Sequence, residues 1–133
     1  MPIPAHLRRI TGLALLCASA AALAAQAPLE ANADEQSGAL VGELMFNADL
    51  LTSLDKLCPR ARPRADWHAA LPRLPAQATT PDLLDLSRRL GDDAGRRLVH
   101  ESGGCASDDF RQAYEESREN FGGLIERWQQ IAP

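Results

Sequence analysis

The chain has 133 residues, 45% hydrophobic, 24% charged and only 5% aromatic, with a net charge of −4. The apolar fraction excludes a disordered chain, and the length excludes two ordinary domains. The acidic balance argues against a general nucleic-acid binder, which needs a basic face to displace counterions from phosphate.

Residues 1–24 read as a secretory signal. Arg8 and Arg9 form a positive start without any acid, and residues 10–25 are uncharged, with leucines set among alanines. This apolar run falls short of the roughly 20 residues that span a bilayer, so a cleaved signal is expected rather than an anchor, with no membrane segment left after processing. Ala22 and Ala24 supply the small residues at −3 and −1, which places cleavage after Ala24. Removing Arg8 and Arg9 from fourteen bases leaves twelve against eighteen acids, a net charge of −6. Cys17 leaves with the signal as an apolar filler. One lysine against thirteen arginines is a compositional bias of high-GC bacterial genes, and with the signal it points to the periplasm or the exterior.

Residues 25–36 can bury little and are expected to form a flexible N-terminal arm, followed by one helical domain over residues 37–133. Leu40, Leu44, Leu51, Leu54 and Cys58, widened by Val41, Met45 and Ala48, recur at helical spacing, so a helix is expected over residues 38–57. Ser37 would cap it and Pro59 would stop it. Residues 59–81 hold five prolines and four arginines, too many prolines for a long helix. A short helix over residues 64–71 is still expected in this connector, with Trp67 and Leu71 as anchors.

Thr80, Pro81 and Asp82 signal the next helix start. Its stripe is Leu83, Leu86, Leu90, Ala94 and Leu98, interrupted by Gly91 and Gly95, so residues 81–101 form either one strained helix or two short ones. Ser102, Gly103 and Gly104 end it, and Ser107 caps a last helix with Asp108 and Asp109 in its first turn. Phe110, Tyr114, Ser117, Phe121, Leu124, Trp128 and Ile131 then repeat at alternating four and three. Gly122 and Gly123 within this stripe are read as a point of close helix packing. Beyond the signal the β-branched residues are few and scattered, so the fold is expected to be all-α: a small bundle of three main helices plus a short connector helix.

Processing leaves Cys58 and Cys105, one pair with one connectivity, and an oxidising compartment favours a disulfide. The bridge would close a loop of 48 residues, counting both cysteines, worth about 4 kcal/mol on the loop-entropy scale. A reactive Cys105, with His100 as base, is the alternative, opposed by the like charge of Asp108 and Asp109 and by the lack of a CxxC motif. His68 and His100 lack the short pairing of a zinc site, so no metal is expected.

No nucleophile elbow, phosphate loop, HExxH, haem motif or EF-hand loop is present, so no catalytic residue and no cofactor is assigned. Arg60, Arg62 and Arg64 follow the negative end of the first helix, and with Trp67 they make the candidate partner-binding cluster, Trp and Arg being the residues most enriched at binding hot spots. The expected function is an exported, non-enzymatic protein that binds a protein partner as inhibitor, immunity protein or accessory factor. The layout of helices around two widely spaced cysteines resembles that of periplasmic acid-stress chaperones and of helical immunity proteins. That resemblance is one of layout and carries no residue roles. An acid-stress chaperone is the alternative function, with a small thiol enzyme third.

Overall fold

A computed structural model describes residues 33–59 and 65–132. The chain divides into two units, Met1–Gln36 and Ser37–Pro133. Of the first, only residues 33–36 are described, and they are the opening turn of a helix. The expected signal peptide, its cleavage point and residues 25–32 of the expected arm lie outside the described residues.

The chain is all-helical, with no strand among the described residues. Helix α1 spans Ala33–Leu57, α2 spans Pro81–Glu101 and α3 spans Asp108–Ile131, with one 3-10 turn at Ala76–Ala78 in the connector. Helix α1 starts five residues earlier than its expected start at 38, so Ser37 lies inside it instead of capping it. Pro59 follows its end, as a proline must when its ring excludes the helical conformation from the residue before it.

Helix α1 is the central element. Its whole expected stripe is buried, with Leu44, Ala48, Leu51 and Leu54 at 0% exposure, and Leu50 is buried as well. Each fully buried leucine contributes roughly 1.5–3 kcal/mol of hydrophobic stabilisation. Helix α3 covers one side with Phe110, Tyr114, Phe121, Leu124 and Trp128, five of the seven residues of its expected stripe. Its register is antiparallel to α1, since Tyr114 meets Asp55, Asn120 meets Asn47 and Arg127 meets Glu43. Ser117 is half-buried and turns its hydroxyl to the Ala113 carbonyl of its own helix, while Ile131 is exposed in the last turn.

Helix α2 is one continuous helix, and its buried line differs from the expected one. Ser87, Gly91 and Gly95 are buried, and Ala94 and Leu98 of the expected stripe pack partly buried on the core, whereas Leu83, Leu86 and Leu90 are 44%, 46% and 50% exposed. The helix is turned by about one residue, roughly 100°, from the leucine stripe. A Cβ at Gly91 would stand 2.7 Å from Asp49 Cβ and 2.9 Å from the backbone of Asp49 and Leu50, and one at Gly95 would stand 2.7 Å from Ser53 Oγ. The glycines therefore let the two backbones touch. Asp49 sits level with Gly91 and Ser53 with Gly95, so α1 and α2 run parallel, and the connector must carry the chain back along their length. Gly122 and Gly123, expected at a close packing point, are instead exposed with nothing within 4 Å of a Cβ.

The turn from α2 to α3 is built from the glycines that follow Ser102. The Gly103 N–H donates to the His100 carbonyl at 3.2 Å and the Gly104 N–H to that of Val99 at 2.9 Å, a Schellman end that needs Gly103 at φ +89°. Ser107 then caps α3, its Oγ accepting from the Phe110 N–H at 3.0 Å and donating to the Ser102 carbonyl at 2.6 Å. Across this corner Cys58 and Cys105 form the disulfide, Cα to Cα 5.5 Å, joining the end of α1 to the approach to α3.

Candidate functional site

Cys58 is buried at 3% exposure and Cys105 is exposed, and their bond leaves neither sulfur as a thiol. The reactive-thiol chemistry conceivable at Cys105 needs that bond opened first. His100, its conceivable base, is exposed in the last turn of α2.

Of the expected partner-binding cluster, Arg60, Arg62 and Arg64 lie outside the described residues. Trp67 is half-buried and turned inward. Its Nε1–H donates to Asp55 Oδ2 at 2.7 Å, its ring meets Phe121 edge-on with centroids 6.0 Å apart, and the Arg118 guanidinium lies 5.9 Å from its centroid. Asp55, on α1, also accepts the Tyr114 hydroxyl at 2.6 Å through its other oxygen. One buried carboxylate thus ties α1, the connector and α3 together. Of the short helix expected over residues 64–71, the described part, residues 65–71, instead forms a pair of tight turns, closed by Ala70 N–H to the Trp67 carbonyl and Leu71 N–H to the His68 carbonyl, both at 3.2 Å. Trp67 and Leu71 nonetheless pack on the core as the expected anchors.

A second buried-edge carboxylate was not legible in the sequence. Asp49 Oδ2 accepts the Ser87 hydroxyl of α2 at 2.6 Å, and Oδ1 lies 2.8 Å from His68 Nε2 of the connector. The other ring nitrogen of His68 lies 3.4 Å from Thr52 Oγ1, whose own proton goes to the Ala48 carbonyl at 2.8 Å. Each ring nitrogen of His68 therefore has a polar partner on α1. With the Ser87 hydroxyl on Asp49 and the Thr52 hydroxyl on the Ala48 carbonyl, the group ties α1, the connector and α2 together.

This tie borders a cavity of about 330 Å³ between α1, the connector and α2. Met45, Leu71, Leu74 and Leu84 give it apolar walls, and Lys56, Arg88 and Asp92 lie among its polar lining. On the other flank of α2 a groove of about 230 Å³ runs beside α1, lined by Gly38, Val41, Gly42, Leu83, Leu86 and Leu90. The two α1 glycines leave room there that side chains would fill. Among the described residues no group of three His, Cys, Asp or Glu side chains is placed to hold a metal ion, and no helix is long and apolar enough to cross a membrane.

No family model, no curated protein and no solved structure matches the chain.

Proposed function

We propose that the chain is an exported, non-enzymatic binding protein that takes an amphipathic helix of a protein partner on the leucine flank of α2. The observation that carries this reading is the exposure of Leu83, Leu86 and Leu90, spaced i, i+3, i+7, beside an apolar groove floored by glycines. Apolar residues left on the outside of a helix at that spacing, next to a groove, match the helix-in-groove mode of recognition. Asp82 and Asp93 share that flank, four residues before Leu86 and three after Leu90. Both are exposed, and neither forms a salt bridge among the described residues. They favour a partner helix whose apolar stripe is bordered by lysine or arginine. Export to the periplasm or beyond is supported by the signal-like first 24 residues and by the disulfide, a bond that persists in oxidising compartments.

The test is fluorescence anisotropy with a labelled helical peptide that carries leucines at i, i+3, i+7 between lysines, compared with a scrambled peptide and with a glutamate-bordered one. The reading expects the lysine-bordered peptide to bind best and the Leu86→Asp, Leu90→Asp double variant to lose at least about tenfold in affinity. Equal binding of the scrambled peptide, or no loss in the double variant, removes the assigned face. If unfolded proteins are held regardless of peptide sequence, the chaperone reading takes its place.

A further inference from the structure

We propose that the cavity between α1, the connector and α2 is a binding site for a free apolar α-amino acid. The ligand class follows from which charges around the cavity are already satisfied. Asp49 has both oxygens engaged, by Ser87 and by His68. Arg88 pairs with Asp85 on its own helix. Two charges remain. Lys56, the only lysine of the chain, and Asp92, half-buried on α2, both line the cavity, and neither has a hydrogen bond or ion pair among the described residues.

An ammonium and a carboxylate left unpaired in one concavity call for a ligand that carries both complementary charges. The zwitterion of an α-amino acid does so, with its carboxylate toward Lys56 and its ammonium toward Asp92. The parallel register of the helices separates the polar from the apolar part. Lys56 and Asp92 lie on the C-terminal side of the contact between Asp49 and Ser87, whereas Met45 and Leu84 lie on its N-terminal side. A leucine-sized side chain would lie on that apolar end, with Leu71 and Leu74 of the connector as the covering wall. At about 330 Å³ the space is at the small end of ligand cavities, which suits a single amino acid. This site lies on the opposite flank of α2 from the leucine face, with Met45 lining both.

Isothermal titration calorimetry on the intact, oxidised protein tests the assignment with four probes: L-leucine, leucinamide, N-acetyl-L-leucine and L-glutamate. The expected result is binding of L-leucine, with each of the other three weaker by at least about tenfold. Lys56→Gln is expected to abolish the preference for leucine over leucinamide, and Asp92→Asn the preference over N-acetyl-leucine. The probe series on the unmodified protein stands even if a variant fails to fold. No heat with L-leucine up to millimolar concentration, or equal affinity for leucine and its two capped forms, overturns the proposal.

Discussion

Trp67 donates its indole N–H to Asp55 at 2.7 Å, and with that bond the proline-rich connector is fastened to the central helix. The same carboxylate accepts the Tyr114 hydroxyl of α3, and Asp55 is only 8% exposed, so three elements meet on one side chain with little water to replace it. Leaving a buried donor without its acceptor costs about 1–3 kcal/mol. Asp55→Leu removes the acceptor of both bonds and is expected to lower unfolding stability by more than either Tyr114→Phe or Trp67→Phe alone. Urea denaturation of the three variants measures this, and equal losses would show that the carboxylate does not join the two donors.

Glycines of the same sequence type are expected to respond in opposite ways. Gly91→Ala would force a Cβ to within 2.9 Å of the α1 backbone, which cannot yield as a side chain can, so it should destabilise despite the gain in helix propensity. Gly122→Ala and Gly123→Ala meet nothing within 4 Å and sit in the middle of α3, so each should stabilise by about 1 kcal/mol. Thermal melts of the three single variants decide it, and a stabilised Gly91→Ala would contradict the close contact of α1 with α2.

The Cys58–Cys105 bond joins residues 47 apart in a small domain. Its loss is expected to cost about 4 kcal/mol by loop entropy, a large share of the roughly 5–15 kcal/mol that small domains possess. Cys58→Ser should cost more than Cys105→Ser, because Cys58 is buried at 3% exposure and Cys105 is exposed. Chemical denaturation with and without reductant checks the first expectation, and the two single variants compared under reducing conditions check the second.

Charge on the outer leucines should leave the fold intact. Leu86→Asp and Leu90→Asp alter side chains that are 46% and 50% exposed, so each should shift stability by no more than about 0.5 kcal/mol. Leu44→Ala, at a site with 0% exposure, should cost about 2–5 kcal/mol. Denaturation midpoints separate the two groups, and a large loss at Leu86 would mean that this face is part of the core.

Helices α1 and α3 were legible because most of their buried residues are large and apolar at helical spacing, so the pattern in the chain and the face in the fold coincide over the whole α1 stripe and five of the seven α3 positions. The disulfide was legible because only two cysteines follow the signal-like segment. Helix α2 was misread for a physical reason: periodicity weighs side-chain volume, whereas a helix that approaches another backbone to backbone buries its smallest residues, here Ser87, Gly91 and Gly95. The glycines of α3 were misread in the converse way, since nothing local tells a glycine at a contact from one facing solvent. The ties of Asp55 to Trp67 and Tyr114, and of Asp49 to His68 and Ser87, span 12 to 59 residues and leave no local signal.

The sequence by itself determined the helical class, the central helix, the cap at Ser107 and the cysteine pair, because each depends on spacing or on chemistry within a few residues or on simple elimination. Only the tertiary structure decided which flank of α2 faces α1. Helix α2 comes into contact with the α1 backbone through its own smallest residues, and that contact leaves the leucines outside, with the cavity beside Asp49 on the other flank.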